Sequence, residues 1–151
     1  MSNIPWANAF LPSKILVVGV DDKGEVEAVC GIRSVFNILT LYVGEQWRGR
    51  GVGNQILEKA IDIARERRLG FILLGVSYNN VRALHLYSNF GFKEVVYLKK
   101  SDLRVMILPM DFVGEVAYVV LCGVTSLLPN VFWTYFAQCV HNVTVSDREG
   151  D

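Results

Sequence analysis

The chain has 151 residues, with fifteen basic and fifteen acidic side chains that leave a formal net charge of zero. A neutral chain exerts no general attraction on nucleic acids or acidic membranes, which argues against a nucleic-acid-binding protein. Its three cysteines, Cys30, Cys122 and Cys139, lie in apolar runs, which favours buried reduced thiols over a disulfide framework or metal site. The length predicts one domain, and the cysteine usage predicts a reducing, cytoplasmic compartment. Residues 1–13 have no basic segment leading into a long apolar one, so a cleaved secretory signal is not expected.

The first third of the chain predicts an antiparallel unit. Residues 1–13 are expected to form a loop or short helix held to the core by aromatic side chains. The β-branched segments Ile15 to Val20 and Glu25 to Ile32 are joined by a turn sequence at residues 21–24, which is typical of a hairpin. Phe36 to Val43 is the next predicted strand.

A glycine-rich turn follows that strand and leads directly into a helix. Glycine permits unusual backbone dihedrals and the close approach of a ligand, and helix N-terminal amides attract phosphate oxygens. Arginines alternate with these glycines and add positive charge. The turn residues in question are Arg48, Gly49, Arg50, Gly51 and Gly53. This combination predicts a phosphate-binding turn.

Two common glycine codes do not fit the turn. A Walker A loop requires Gly-Lys followed by Ser or Thr, whereas Gly53 is followed by Asn54 and Gln55. A dinucleotide fingerprint would need glycine at position 54 or 56, where the chain has Asn54 and Ile56. The phosphate ligand therefore belongs to another class.

Alternating helices and strands are predicted after the turn. Apolar residues at three- and four-residue spacing from Val52 to Ala64 predict an amphipathic helix, which Gly70 closes in a left-handed conformation. The apolar run Phe71 to Val76 predicts a central strand, parallel to the strand that precedes the helix.

Asn80 to Asn89 is a second predicted helix, capped by Asn79 or Asn80. Lys93 to Leu98 and Arg104 to Met110 are the last predicted strands. These elements predict an α/β fold whose ligand lies at the carboxyl ends of the two parallel strands.

Two motifs carry a family resemblance. Arg48-x-x-Gly51-x-Gly53 after a strand resembles the acetyl-coenzyme A pyrophosphate loop of GNAT-superfamily N-acetyltransferases. The stretch from Val76 to Phe92 resembles the other half of that cofactor site, and the resemblance covers roughly residues 14–110. It implies a mixed, mostly antiparallel sheet with a central parallel βαβ pair. It also implies acetyl-CoA as cofactor and direct transfer of acetyl to a primary amine in a ternary complex.

The resemblance also implies roles for individual residues. The backbone of Leu41, Tyr42 and Val43 would bind the pantetheine arm, with an N–H near Val43 as oxyanion donor. The turn amides would bind the pyrophosphate. These are the amides of Arg48, Gly49, Arg50, Gly51, Val52, Gly53 and Asn54.

The second motif would form a wall of the cofactor groove. Asn80, Ala83 and Tyr87 share one helical face, and the Tyr87 phenol would donate a proton to the leaving thiolate. The alternative for Tyr87 is a core tyrosine whose hydroxyl is already satisfied.

The general base is left open by the sequence. Glu45, Glu27 and Asp21 are candidates, although a solvated loop carboxylate is the competing interpretation of each. His85 and His141 are expected at the surface. GNAT members also place a strand and helices before the hairpin, and about thirteen residues precede it here. A catalytically degenerate acyl-CoA-binding or interaction module is therefore the alternative function.

The C-terminal segment is apolar. Residues 1–111 form the predicted acetyltransferase domain and residues 112–151 an extension, in which 31 consecutive residues from Val116 to Ser146 lack charge. That length exceeds the ~20 residues of a membrane span. Pro129, however, divides the run into two pieces joined by a turn. We therefore expect the extension to pack on the domain or in a homodimer interface, with a membrane segment as the alternative.

Overall fold

The computed structural model describes residues 13–33, 36–127, 133, 134 and 137. The chain forms two compact units that divide between Leu69 and Gly70. We call residues 7–69 the N-terminal unit and residues 70–151 the C-terminal unit. The predicted loop or helix before Ser13, together with Cys139 and His141, lies outside the described residues.

The N-terminal unit contains a three-stranded antiparallel sheet in the order β1-β2-β3. The strands are β1 (Ser13–Val20), β2 (Val26–Arg33) and β3 (Leu39–Val43). The predicted hairpin is confirmed. Asp21 closes its turn, because Oδ1 accepts hydrogen bonds from the N–H groups of Lys23 and Glu25 at 2.9 and 2.8 Å.

The third strand begins later than predicted. Phe36 and Asn37 have left-handed φ values of 57° and 49°, which an extended strand excludes. The Arg33 N–H at the end of β2 donates to the Ile38 carbonyl at 2.9 Å, one residue before β3 begins. The prediction that this strand starts at Phe36 is therefore wrong, and β3 starts at Leu39.

Helix α1 (Val52–Glu66) packs its apolar stripe on this sheet, as the three- and four-residue spacing predicts. The stripe is buried and consists of Ile56, Leu57, Ala60, Ile61 and Ala64. Burying such a stripe stabilises the unit, since a buried aliphatic side chain contributes about 1.5–3 kcal/mol.

The helix ends at Arg67 and Arg68 rather than through Gly70. Arg68 takes the left-handed conformation with φ 55°. Its N–H donates to Arg65 and the Leu69 N–H donates to Ala64, the two bonds of a Schellman motif. The prediction that Gly70 closes the helix is wrong. A left-handed cap prefers glycine, but here the hydrogen bonds and the burial of Leu69 hold an arginine in that conformation.

The C-terminal unit contains a second antiparallel sheet, in the order β4-β6-β5. Its strands are β4 (Phe71–Ser77), β5 (Lys93–Leu98) and β6 (Leu103–Pro109), and helix α2 (Val81–Asn89) joins β4 to β5. The middle strand β6 is almost wholly buried, as is β4 between Ile72 and Leu74. These burial patterns agree with the continuously apolar sequence of β4.

The predicted fold class is confirmed as a mixed α/β fold, in which the described residues form the three α-helices α1, α2 and one after β6. Within the described residues, however, the strands form two antiparallel sheets, and β3 and β4 belong to different ones. The expected hydrogen-bonded parallel pairing of these two strands is thus not formed. A strand-helix-strand pattern specifies the order of the elements but not which strands form a ladder, and the ladder partner of β4 is the later strand β6, along its full length.

Helix α3 (Phe112–Leu127) belongs to the apolar extension and packs on β5 and β6. Asp111 caps it, since Oδ1 accepts the Gly114 N–H at 2.9 Å. A Cβ at Gly114 would lie 2.0 Å from the Gly70 carbonyl oxygen, so the helix can approach the start of β4 only without a side chain there. Glu115 forms an ion pair with Lys93 of β5 at 3.2 Å. Among the helices of the described residues, none is long and apolar enough to cross a membrane.

Candidate cofactor-binding site

The loop after β3 begins with a single-turn 3-10 helix, Glu45–Trp47. The Gly44 N–H donates to the Glu27 carbonyl at 2.8 Å, which anchors the loop to β2. A Cβ on Gly44 would lie 2.7 Å from Cε3 of Trp47, so the indole packs directly against this glycine. Gly44 and Trp47 thus set the direction in which the chain leaves the sheet.

The glycine turn adopts the conformation that its sequence predicts at two of three positions. Gly49 and Gly51 have φ values of 78° and 82°, where other L-residues are strained. A Cβ at either position would meet no atom within 4 Å, so these glycines serve the backbone conformation and not a packing contact. Gly53 differs, because it lies in the first turn of α1.

The N-terminus of α1 presents a row of backbone donors. The first intrahelical bond joins the Gln55 N–H to the Gly51 carbonyl at 3.2 Å. The amides of Val52, Gly53 and Asn54 therefore have no acceptor within the helix, and no side chain caps it at Gly51. Three such amides at the positive end of a helix dipole form a geometry that suits a phosphate group.

The two arginines of the turn are placed differently. Arg48 folds back, because its Nε donates to the Val43 carbonyl at 3.0 Å and its Nη1 lies 3.9 Å from Glu45. Arg50 is exposed and lines a groove of about 300 Å³ with Trp47 and the hairpin turn between β1 and β2. Arg48 therefore braces the loop, whereas Arg50, together with Lys23, lines the groove.

Leu41, Tyr42 and Val43 form the end of β3 and are half-buried. They pair with β2 on one side, where Leu41 lies opposite Cys30 and Val43 opposite Ala28. Within the described residues β3 is an edge strand of its sheet. An edge strand is the kind of element to which an extended ligand can add as a further strand.

Helix α2 carries the second motif. Asn80 caps it as predicted, with Oδ1 accepting the Ala83 N–H at 3.1 Å. Ala83 is half-buried and Tyr87 is 8% exposed. The Tyr87 ring contacts Phe92 edge-on, with 5.6 Å between ring centroids. The ring is therefore held in a fixed orientation on the helix face that Asn80 and Ala83 share.

The structure thus assembles each motif within its own unit. The strand end, turn and helix start, from Leu41 to Asn54, form one continuous surface in the N-terminal unit. Asn80, Ala83 and Tyr87 form a second surface in the C-terminal unit.

The candidate bases and nucleophiles have ordinary surroundings. Glu45 is exposed beside Arg48, and Asp21 is occupied in its hairpin turn. His85 is exposed, as predicted, and bonds with Asn89 at 3.2 Å. Burial raises the pKa of the Cys30 thiol to about 12, so this cysteine stays protonated at neutral pH and is not a nucleophile.

Asp102 lies next to the start of α2 but belongs to neither sequence motif. Asp102, in the turn between β5 and β6, accepts hydrogen bonds from Tyr97 at 2.9 Å and from Asn79 at 3.2 Å. Its φ of 49° is left-handed. Asp102 is 23 residues from Asn79 in sequence, so local spacing gives no signal of this contact. The turn sequence Lys100-Ser101-Asp102 between two predicted strands is the only local hint.

Comparison with known proteins agrees with the two motifs. The model of the acetyltransferase (GNAT) family matches residues 3–92, which is more than half of the chain. The chain belongs to the GNAT acetyltransferase family. An uncharacterized N-acetyltransferase of Methanocaldococcus jannaschii is 34% identical over 67 residues, which are 44% of this chain and 30% of that protein.

Two other proteins resemble this GNAT chain. Streptothricin acetyltransferase of Streptomyces lavendulae is 42% identical over 45 residues, or 30% of this chain and 24% of that protein. The chain thus spans less than a third of the length of the two sequence relatives named here. The ribosomal-protein-S18-alanine N-acetyltransferase of Escherichia coli shares the fold, with a TM-score of 0.59 at 23% identity over 74% of this chain and 78% of that one.

Proposed function

We propose that this protein is an acetyl-CoA-dependent N-acetyltransferase that acetylates a primary amine by direct attack in a ternary complex. The observation that supports this most strongly is the surface built by Gly49, Gly51 and the free amides at the start of α1. Its backbone donors and open space suit the pyrophosphate of coenzyme A in a chain of the GNAT family.

The described residues fit this ligand by their chemistry. The edge of β3 at Leu41 to Val43 would hydrogen-bond the amide-containing pantetheine arm. The amides of Val52 to Asn54 would hold the pyrophosphate, with Arg50 as the nearby cation. When bound, acetyl-CoA supplies a thioester whose acyl carbon an amine can attack.

In this proposal the protein polarises the thioester carbonyl and transfers protons. A strand N–H near Val43 would donate to the developing oxyanion. Tyr87 would hold a proton on its Oη and give it to the departing sulfur, and contact with Phe92 fixes the direction of its ring. The amine proton would leave to water or to one of Glu45, Glu27 and Asp21. Because the amine attacks the thioester directly, the reaction needs no covalent enzyme intermediate, and the buried, protonated Cys30 is not required as a nucleophile.

The acceptor is proposed only as a class. The names of two similar proteins give different substrates, streptothricin in one and the alanine of ribosomal protein S18 in the other. Together with the family, these names support a primary amine, on a small molecule or a protein, as the acceptor. The buried, reduced Cys30 supports a cytoplasmic setting for the reaction.

The extension has a separate role in the proposal. Packing of α3 on β5 and β6 supports residues 112–151 as an accessory segment to the acetyltransferase domain of residues 1–111. A homodimer stays a prediction, which the outward apolar face of α3 motivates. That face comprises Phe112, Val113, Val116, Val119 and Val120.

The competing function is an acyl-CoA-binding module without catalysis. Two of the candidate bases favour this alternative, because neither is in a typical setting for a general base: Glu45 is exposed to solvent, and Asp21 accepts hydrogen bonds within its turn. Thiol release from acetyl-CoA, measured against a panel of small amines and N-terminal peptides, separates the two. Amine-dependent release supports the transferase. Tight acetyl-CoA binding without release from any amine supports the module.

A further inference from the structure

The turn at Ser77–Asn79, which precedes α2, is held by hydrogen bonds to the hairpin between β5 and β6. The Tyr78 N–H donates to the Asp102 carbonyl at 3.0 Å, and Nδ2 of Asn79 donates to its carboxylate at 3.2 Å. Ser77 Oγ lies 3.5 Å from the same carboxylate oxygen. One residue of the hairpin thus binds three consecutive residues at the end of β4.

The other side of Asp102 is equally constrained. The Tyr97 hydroxyl donates to Oδ1 at 2.9 Å, and this bond raises the pKa of the Tyr97 phenol, which keeps it a donor. The Tyr97 ring lies 5.4 Å from that of Tyr78, and the Arg104 guanidinium sits 4.6 Å above the Tyr78 ring. Arg104 is held in turn by Glu94 at 2.6 Å.

The turn held by Asp102 is connected to the face of α2 that the proposed function assigns to acetyl-CoA. The Asn80 N–H donates to the Ser77 carbonyl, so the turn that Asp102 holds also places the residue that caps α2. Asn80 binds the Ala83 N–H, and Tyr87 follows one turn later on the same face. With only nine residues, α2 has little intrinsic stability and depends on its surroundings for its direction.

We propose that Asp102 is a positioning residue for the cofactor site: it fixes the turn at Ser77–Asn79 and thereby orients the face of α2 that carries Ala83 and Tyr87. This rests on the proposed function, because that function assigns the face of α2 to acetyl-CoA. Asp102 touches neither the cofactor nor the amine in this proposal. It acts through the backbone of Tyr78 and the side chain of Asn79.

The test compares Asp102→Gly with Asp102→Asn in the full chain. Glycine keeps the left-handed backbone and the carbonyl bond to Tyr78 but removes the carboxylate, whereas asparagine keeps one acceptor oxygen and tolerates this conformation. Ser101→Gly is the matched control, because it puts a glycine in the same turn at a position with no side-chain hydrogen bond among the described residues. Tyr97→Phe removes one hydrogen-bond donor to the Asp102 carboxylate and leaves the sequence of the turn unchanged.

The first readout needs no ligand. Loss of the charge-assisted bonds to Asp102 should raise amide hydrogen exchange over residues 78–84 about tenfold or more in Asp102→Gly. The increase should be smaller in Asp102→Asn and Tyr97→Phe, and absent in Ser101→Gly. The second readout is kinetic. The KM for acetyl-CoA should rise about fivefold in Asp102→Gly, with the KM for the amine unchanged and partial rescue by Asp102→Asn.

The outcomes are distinct. Unchanged exchange in Asp102→Gly would overturn the restraint on the turn. Raised exchange with an unchanged KM for acetyl-CoA would overturn the positioning role while leaving the proposed function intact. If the parent protein neither binds nor uses acetyl-CoA, the proposed function fails, and the positioning role in the cofactor site fails with it.

Discussion

The two candidate surfaces, one in each unit, are built in different ways. The surface around Gly51 consists of backbone: two left-handed glycines and amides that the helix leaves without acceptors. The surface on α2 consists of side chains, with Asn80 as cap and a Tyr87 ring held against Phe92. The proposed function therefore assigns binding through backbone conformation to the first surface and through particular side chains to the second.

This difference determines which substitutions each half tolerates. In the turn, a side chain matters when it blocks the amides or changes the local charge, since the donors themselves are part of the main chain. On α2, removing one oxygen atom changes the site while the fold is retained. Three predictions follow this contrast from the largest effect to the smallest.

The largest effect is expected for Gly53→Glu. Glutamate is a good helix former and its charge favours a helix N-terminus, so the fold is retained. The same charge opposes the pyrophosphate, and like-charge contact costs several kcal/mol, so acetyl-CoA affinity should fall at least about 100-fold. Titration calorimetry on the folded variant measures this.

Gly53→Gln is the matched control for that variant. It has the same shape without the charge, so we expect a loss of less than about tenfold, from steric hindrance alone. Equal affinities of the glutamate and glutamine variants would remove the phosphate-binding assignment of the turn.

Tyr87→Phe should act on turnover and spare binding. The phenyl ring retains the edge-on contact with Phe92, whereas the proton donor is lost. Turnover should fall about 10²-fold, the lower end for a general acid, with acetyl-CoA affinity unchanged. Steady-state kinetics with thiol detection, together with calorimetry, gives both quantities. Wild-type turnover in this variant would make Tyr87 a packing residue only.

Gly51→Ala should produce the smallest of the three effects. Its Cβ meets no atom within 4 Å, so the cost is conformational and amounts to about 1–2 kcal/mol of unfolding free energy at a left-handed position. Gly51→Asn should cost less, because asparagine adopts this conformation more readily. Denaturant unfolding measures both variants, and equal stability of alanine, asparagine and glycine would contradict a turn that depends on its backbone conformation.

The same contrast explains what the sequence could predict. The left-handed glycines, the Asn80 cap and the apolar stripe of α1 are local features, whose residue types report their own conformation. Motifs of local spacing therefore predict both candidate surfaces. The Schellman cap at Arg68 was mispredicted because glycine is preferred there but not required.

Contacts between residues that are distant in sequence cannot be predicted from such local patterns. The contact of Asp102 with Asn79 depends on which strands become neighbours, and so does the absence of a β3–β4 ladder in the described residues. Gly114 is a similar case. It lies in a helix, where glycine is unfavourable, and only its approach to the Gly70 carbonyl explains it.

Amide hydrogen exchange of the full chain, with and without saturating acetyl-CoA, tests the proposed phosphate-binding role of the surface around Gly51 most directly. We predict protection of residues 43–55, with no change in α3 between residues 115 and 125. The proposed role of Ala83 and Tyr87 predicts protection of residues 78–87 in the same experiment. Unchanged exchange over residues 43–55 at saturating acetyl-CoA would contradict the phosphate-binding role.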